Sequence, residues 1–324
     1  ISGDRADWLT FSPSSGSGDI NVNISNTYNR GPKRTAKVKV AFETSTKEFT
    51  ITQEGNGGYS ATIPGWLELP EVNQGGSSYF LRHYCALDGK QVRNYSALYD
   101  AELCGSYWVA YPLHTSYLTG ADRSEAWAYD TTIPALLQFR YHNLGFGFQN
   151  YDRGHQLPSG DRTATDEMNK QTFYSTNITP QRWRLNQVKW KSLEEWFRGK
   201  ASADTVWMVT GAVYRTANGS ETIQTITNTN NTEAKRGEEY SVSIPNYYFK
   251  IGMKRKDASS YTAVGFWYDN QDEVPNTITR QYARTVKWIE EQTGINFFAN
   301  LPGELEESVK NISQQEMNSE WGLN

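Results

Sequence analysis

This chain of 324 residues has few cysteines, no long apolar run and no large excess of charge of one sign. Its two cysteines, Cys85 and Cys104, lack a CxxC spacing, which argues against a zinc cage or a redox motif and leaves one disulfide and two buried thiols equally open. No run of about 18 apolar residues occurs, which excludes a membrane-spanning helix. The 32 Lys+Arg against 36 Asp+Glu give a net charge of −4. This balance argues against a protein that coats nucleic acid by bulk charge, but it permits a local basic site.

Aromatic residues, in contrast, are abundant, with 11 Trp, 20 Tyr and 13 Phe. Together with 37% hydrophobic and 21% charged residues, they indicate a globular fold with substantial β structure. At about 150 residues per domain, the length suggests roughly two domains.

Residues 1–54 alternate apolar and polar side chains with a period of two, around Ile20–Ile24, Val38–Val40 and Phe49–Ile51. The pattern predicts three short strands, each with one buried face. The stretch from Trp8 to Gly18, with Thr50-Ile51-Thr52-Gln53, resembles a BACON-type β-sandwich domain that lacks its opening strands. The resemblance implies a small all-β, Ig-like module at residues 1–54, either a spacer or a contact for a glycan or cell surface. The Gly-rich joint from Glu54 to Gly58 predicts a boundary, with a second domain at residues 55–324.

Strand and helix patterns are mixed in the second domain, which predicts an α+β fold. The predicted strands cover residues 79–86, 95–99, 107–111, 205–210, 247–253 and 261–268, and the predicted helices cover residues 185–198, 278–293 and 302–311. The Thr/Asn-rich stretch at residues 215–239 is typical of a long exposed hairpin or loop.

One polar constellation carries chemistry: Asp152-Arg153-Gly154-His155 is followed by Asn177-Ile178-Thr179-Pro180-Gln181 and Leu185-Asn186-Gln187. A neutral imidazole can take a proton from water, and arginine forks suit phosphate oxygens. An Asn oxygen beside a carboxylate suits a hard cation that keeps most of its water, such as Mg2+. Together these groups favour metal-assisted attack of water on a phosphodiester.

Helical spacing supports this interpretation, because Asn186, Trp190, Glu194 and Arg198 recur every four residues and form one stripe. For Glu194 and Arg198 the alternative is an exposed ion pair on a solvated helix face.

In order and spacing, these motifs resemble the non-specific DNA/RNA endonucleases of the ββα-metal (His-Me finger) group. Flanking phrases such as Trp108-Val109-Ala110-Tyr111 and Thr293-Gly294-Ile295-Asn296 extend the match over residues 79–305. The resemblance implies a ββα-metal nuclease fold with a mixed, mainly antiparallel sheet. It further implies that His155 is the general base. Asn186 would be the direct ligand of Mg2+, for which Mn2+ can substitute, and Glu194 would hold metal-bound water. The resemblance also implies three contacts to phosphate or developing charge: Arg153, Arg198 and Arg123.

Asn177 and Gln181 also match the family, as substrate contacts or as side chains that close a loop by hydrogen bonds. Between Arg140 and Lys200, ten Lys or Arg and six Asp or Glu give a local +4, as a polyanion cleft requires. Four further cations are candidate phosphate contacts or solvated surface charge: Arg182, Arg184, Lys189 and Lys191.

The sequence therefore predicts a Mg2+-dependent endonuclease that cleaves DNA and RNA to 5′-phosphate products. The hazard of such an enzyme to its own cell, with the BACON-like module, favours export to the periplasm, the cell surface or the medium. Two alternatives remain: a glycan-binding or adhesion protein with an inactive nuclease-like domain, and a nuclease restricted to DNA.

Overall fold

The computed structural model describes residues 9–17, 21–26, 34–42, 44–53, 66–72, 75–118, 120–141, 150–201, 204–228, 240–273, 278 and 280–323. The chain divides into two compact units, residues 1–63 with 73–76 and residues 64–72 with 77–324. Ile20 and the joint at Glu54–Gly58 lie outside the described residues, and the domain division at residue 54 stays a prediction.

The first unit contains four strands rather than the three predicted: β1 (Leu9–Ser12), β2 (Asn23–Asn26), β3 (Arg34–Phe42) and β4 (Ser45–Gln53). They form two antiparallel sheets of two strands each, β1–β2 and β3–β4. Leu9, Ala36 and Val38 are buried together as a small core.

The predicted buried face of these strands is only partly present. Val22, Ile24, Val40 and Phe49 are exposed, Val40 by 52%. Two-stranded sheets offer too little surface to cover every apolar side chain of an alternating pattern.

The second unit is built on a seven-stranded sheet with the order β15-β14-β13-β10-β7-β6-β5. All of its strand pairs are antiparallel, which confirms the mainly antiparallel sheet of an α+β fold. The strands are β5 (Ser78–Leu87), β6 (Lys90–Asp100), β7 (Gly105–Leu113), β10 (Val206–Val213), β13 (Tyr247–Arg255), β14 (Tyr261–Asp269) and β15 (Ala283–Arg284). A two-residue turn joins β5 to β6, and both of its residues have positive φ, 50° at Asp88 and 73° at Gly89. Such a turn matches the twist of the strands that it joins.

Five α-helices are described in this unit: α1 (Asp166–Gln171), α2 (Lys191–Lys200), α3 (Val286–Thr293), α4 (Gly303–Lys310) and α5 (Gln314–Trp321). The sheet and the helices share a core that includes Tyr95, Tyr111, Trp190, Phe197 and Trp321. Among the described residues, no helix is long and apolar enough to cross a membrane.

The predicted helix at residues 278–293 is wrong in its first half. Ala283 and Arg284 pair with β14 as β15, and the Thr285 side chain caps α3 by accepting from the Trp288 amide. Tyr282 stacks on Tyr268, with ring centroids 4.8 Å apart. The apolar residues that suggested a longer helix therefore make contacts with β14 instead.

The Thr/Asn-rich segment is not wholly exposed either. Strand β11 (Gln224–Asn228), inside the segment, pairs antiparallel with β12 (Tyr240–Ile244), which begins just after it. Ile226, Val242 and Ile244 are buried in a cluster that also contains Cys104. Cys104 and Cys85 are both buried and are not joined by a disulfide, so of the two states left open the structure has two buried thiols.

Candidate active site

A β-hairpin followed by a helix forms the floor of the candidate site. Strand β8 (Tyr151–His155) pairs antiparallel with β9 (Ile178–Arg182), with His155 opposite Ile178. A π-helical segment, Leu185–Trp190, then continues directly into α2. A Cβ on Gly154 would lie 2.5 Å from Oε1 of Gln181, so this hairpin requires glycine there.

The hairpin and helix border a cleft of about 410 Å³. Six side chains with predicted roles line it together, even though they come from separate segments of the chain: Arg123, Arg153, His155, Asn186, Glu194 and Arg198. The geometry thus brings together every residue predicted to handle the proton, the metal or developing charge. Their individual roles stay predictions.

His155 stands partly buried in an aromatic surround. Its ring centroid lies 5.2 Å from that of Trp127 and 5.0 Å from that of Phe173. Burial, with the nearby charges of Arg123 and Arg153, lowers the pKa of His155 to about 3. Its Nε2 atom is buried without a hydrogen-bond partner among the described residues. The imidazole is therefore neutral near pH 7 and has a nitrogen lone pair available.

Two arginines are fixed near His155 by aromatic faces and a glutamate. The guanidinium of Arg153 lies 3.8 Å from the Trp127 ring centroid, and that of Arg123 lies 4.8 Å from the Phe173 ring. Glu125 accepts hydrogen bonds from the Nε atoms of both Arg123 and, at 2.8 Å, Trp127. Because these contacts already restrict the two arginine side chains, less conformational entropy is lost when an anion binds to them.

Asn186 is oriented by a carboxylate. Its Nδ2 donates to Oδ2 of Asp152 at 2.9 Å, and Nε2 of Gln187 donates to the same oxygen at 2.7 Å. Because the amide nitrogen is bound to Asp152, the amide oxygen of Asn186 is left for another partner. Oδ1 of Asp152 is also buried without a hydrogen bond among the described residues.

Glu194 and Arg198 are not the exposed ion pair that sequence spacing allowed. Arg198 pairs with Asp161 instead, at 2.7 Å between Nη1 and Oδ1. Burial raises the pKa of Glu194; Asp161 and Glu195 add to this, and the cations of Lys250 and Arg198 oppose it. A bound cation at this carboxylate would favour its charged form.

These oxygens fit a hard divalent cation. An amide oxygen and carboxylate oxygens are the ligands that Mg2+ prefers, and Mg2+ usually keeps several waters. The described residues contain no cluster of three His, Cys, Asp or Glu side chains, so a cage built from these side chains alone is not present among them. The donor set therefore suits a metal held by few protein groups, namely Asn186 and, directly or through water, Glu194.

The predicted stripe on the helix is correct at three of its four positions. Trp190 does not line the cleft but is buried, with its ring centroid 5.6 Å from that of Tyr248. The π-helical segment changes the helical phase between Asn186 and α2, so a strict spacing of four does not describe this face.

Asn177 and Gln181 are buried behind the cleft and do not line it. The Asn177 amide donates to the carbonyls of Leu157 and Thr172, at 2.9 and 2.7 Å, and accepts from the Leu157 amide. Gln181 packs against Gly154. This geometry favours the loop-closing alternative over substrate contact for Asn177, and it places Gln181 under the hairpin.

The four additional cations lie in different environments. Lys191 is exposed and lines the cleft, and Arg184 is exposed. Lys189 is fully buried and faces the rings of Tyr268 and Tyr282, each 5.5 Å away, and burial lowers its pKa to about 8. Lys189 therefore belongs to the core and is not a surface phosphate contact.

Sequence reasoning missed the groups that position the cleft residues, namely Trp127, Glu125, Asp152 and Asp161. Asp152 lies inside the DRGH motif, and its acidic side chain next to a candidate metal ligand was the available signal. Asp161 gave none, because its partner Arg198 is 37 residues away.

Strands β8 and β9 with the helix that follows them have the order ββα, and comparison with known proteins identifies the family. The chain belongs to the DNA/RNA non-specific endonuclease family, whose model matches residues 76–304, and residues 1–54 match the BACON domain model. Both resemblances found in the sequence are thereby confirmed.

Several relatives are nucleases. A nuclease of Nostoc sp. is 29% identical over 228 residues, covering 68% of this chain and 76% of that protein. The nuclease of Serratia marcescens is 27% identical over 209 residues, covering 63% of this chain and 72% of that protein. The solved structure of EndoG in its complex with EndoGI has a similar fold, with a TM-score of 0.50 and 18% identity over 69% of this chain and 89% of that one.

Proposed function

We propose that this protein is a Mg2+-dependent endonuclease that hydrolyses phosphodiester bonds of both DNA and RNA to 5′-phosphate and 3′-hydroxyl ends. The observation that carries the proposal is the neutral imidazole of His155, in one cleft with three arginines and an amide oxygen oriented by Asp152. Membership in a nuclease family supports it.

In the proposed reaction, Arg123, Arg153 and Arg198 bind the phosphate and place it beside His155. The neutral imidazole of His155 takes a proton from water as the water oxygen bonds to phosphorus and the P–O3′ bond breaks. The released 3′-oxygen then takes a proton from solvent. The guanidinium groups stabilise the charge that builds up on the phosphoryl oxygens.

Asn186 and Glu194 would hold the metal, with Asp152 fixing the direction of the Asn186 amide. When bound, Mg2+ supplies positive charge against the phosphate and the leaving oxygen. Mn2+, which shares a preference for oxygen ligands, would substitute.

The test is digestion of plasmid DNA and of a long RNA with Mg2+, with EDTA, and by a His155→Ala variant. We expect cleavage of both substrates by the native chain, and roughly 10²- to 10⁴-fold slower cleavage without the base. A Tyr79→Ala variant, altered on the edge strand β5 outside the cleft, serves as the matched control and should keep the native rate.

Three results would each reject part of this proposal. Cleavage of DNA alone would leave a DNA-only nuclease, and an unchanged rate in His155→Ala would remove the base. A folded native chain that cleaves neither substrate would favour the binding-protein alternative.

We also propose export from the cell, with residues 1–54 as a separate domain that contacts a glycan or cell surface. The match of residues 1–54 to the BACON domain, a candidate binding domain, supports the surface contact. The nuclease family supports export, because a nuclease is a hazard to its own cell. Fractionation of the producing cell tests the location, and full-length protein in the cytosol would contradict it.

A further inference from the structure

Trp183 is a large aromatic side chain left in solvent beside the cleft. It lies in the connection between β9 and the π-helical segment, and 51% of its surface is exposed, whereas Trp190 is 1% exposed. In the described part of the chain, the Trp183 ring makes no aromatic, cation–π or hydrogen-bond contact. Single exposed apolar residues are normal on protein surfaces, so the residues around Trp183 decide whether it forms a binding site.

The backbone on both sides of Trp183 is fixed. The amide of Arg182 donates to Oδ1 of Asn270, and the amide of Arg184 donates to Oδ1 of Asp272, both at 2.9 Å. Asn270 is itself held, because its Nδ2 donates to the carbonyls of Pro180 and Pro245. Trp183 is therefore presented from an ordered backbone, so little entropy would be lost when a flat ligand stacks on it.

Trp183 lies between two arginines in the sequence, although the carboxylate of Asp272 is also near, at the Arg184 amide. Arg184 is exposed, and the guanidinium of Arg182 lies 4.3 Å from the Tyr151 ring centroid. An exposed aromatic ring with an arginine before and after it in the sequence is a pattern that suits a base with its sugar-phosphate chain.

The cleft is close along the chain. Trp183 precedes Asn186, which lines the cleft, by three residues, so their Cα atoms are at most roughly 11 Å apart. Lys191, exposed at the same cleft, adds a further cation there. A strand whose phosphate lies at His155 would need to run only a short distance to bring a base to Trp183.

We propose that Trp183 is a stacking subsite for an unpaired nucleobase of the substrate strand, flanked by phosphate contacts from Arg182 and Arg184. The inference rests on the proposed nuclease function and names a substrate-binding residue of the same site. Because every base has a π-face, such a subsite binds without regard to sequence and serves DNA and RNA alike. It favours strands whose bases are unpaired over intact duplex, in which bases are already stacked.

The experiment measures binding with catalysis switched off. Fluorescently labelled 12-nucleotide oligothymidylate, and a 12-unit abasic sugar-phosphate chain of equal charge, are titrated in EDTA by anisotropy. The proteins are the native chain, Trp183→Ala, Trp183→Phe and the matched control Tyr79→Ala, which removes another exposed aromatic side chain, from β5.

We expect Trp183→Ala to weaken oligothymidylate binding about tenfold, the loss of one stacked base, and to leave abasic binding unchanged. Trp183→Phe should retain most of the affinity, and Tyr79→Ala all of it. Near-ultraviolet circular dichroism of Trp183→Ala checks that the fold is intact.

Equal affinity of the native chain and Trp183→Ala for oligothymidylate would overturn the inference. An equal loss for the abasic chain would also overturn it, since the ring would then act on the backbone and not on a base. A changed oligomeric state with unchanged nucleic-acid binding would assign Trp183 to a protein contact. Absence of cleavage by the native chain with Mg2+ would reject the nuclease proposal separately, because the binding arms do not depend on turnover.

Discussion

Arg198 is held at the cleft by the buried carboxylate of Asp161, which accepts a hydrogen bond from Nη1 at 2.7 Å. The Tyr111 hydroxyl donates to the other oxygen of the same carboxylate at 3.1 Å. Burial of Arg198 opposes its charge, but Asp161 more than compensates and raises the pKa of Arg198. A Cβ on Gly160 would lie 3.1 Å from Nη1 of Arg198, so glycine leaves room for the guanidinium. Asp161 is thus a positioning residue for a candidate phosphate contact.

Asp161→Asn should slow cleavage because Arg198 loses its charged partner and its fixed direction. A hydrogen bond to a charged group contributes about 1.5–3 kcal/mol, which corresponds to roughly 10- to 150-fold in rate if it acts wholly in the transition state. The measurement is kcat and KM on a defined oligonucleotide for Asp161→Asn, Arg198→Ala and the double variant.

If the two residues act as a unit, the double variant should be no slower than Arg198→Ala. Tyr111→Phe removes the other hydrogen bond to Asp161 and is the matched control, which we expect to cleave at close to the native rate. Additive losses would show that Asp161 acts independently of Arg198.

Asp152→Asn should weaken Mg2+ binding without removing a direct ligand. Asn at this position offers Nδ2 of Asn186 a neutral amide oxygen in place of a carboxylate, so the hydrogen bond that fixes the direction of the metal-binding oxygen is weaker. Loss of such an outer partner typically costs about 10- to 100-fold in metal affinity. The measurement is isothermal titration of Mg2+ into the substrate-free protein.

Gln187→Ala is the comparison for Asp152→Asn, because it removes the other donor to Asp152 and leaves the Asn186 contact in place. We expect a much smaller effect from it. An unchanged Mg2+ affinity in Asp152→Asn would show that the carboxylate does not orient Asn186 for the metal.

His155 should remain neutral well below its ordinary titration range in the metal-free protein. Burial and the two neighbouring arginines lower its pKa to about 3, against about 6.5 in an unfolded chain. The unfolded state therefore binds the proton first as pH falls, so His155 lowers the free energy of unfolding between about pH 6.5 and 3 and has no effect above that range.

Urea unfolding of the native chain and of His155→Gln in EDTA, from pH 8 to 4, measures this contribution. The difference in unfolding free energy between the two proteins should change in favour of His155→Gln as the pH is lowered. A difference that stays constant with pH would place the pKa of the folded state at its ordinary value.

The sequence predicted which residues meet in the candidate cleft, because they are close along the chain or belong to a recognisable motif, but it did not predict β8 and β9 as strands. Arg153 and His155 are two residues apart on β8, and Asn186 follows β9 directly. The family resemblance supplied the rest of the cleft, including Arg123, which composition and spacing alone do not connect to the site.

What the sequence did not predict depends on long-range packing. The burial of Lys189 over Tyr268 and Tyr282 follows from a strand pairing that no local pattern encodes. The exposure of Val40 in the first unit was not predicted for a different reason. Alternation shows which side chains share a face of a strand, but it does not show whether another part of the protein covers that face.

Cys85 and Cys104 should react with a thiol reagent only after unfolding. Both are buried thiols, and burial raises the pKa of Cys85 to about 11, so little thiolate of Cys85 is present at neutral pH. Titration with an aromatic disulfide reagent should give almost no reaction in the folded protein, and two thiols per chain in guanidinium chloride. Non-reducing mass spectrometry is the control, because a disulfide would lower the mass by about two hydrogens. Absence of thiols in the unfolded protein would contradict the two buried thiols of the structure.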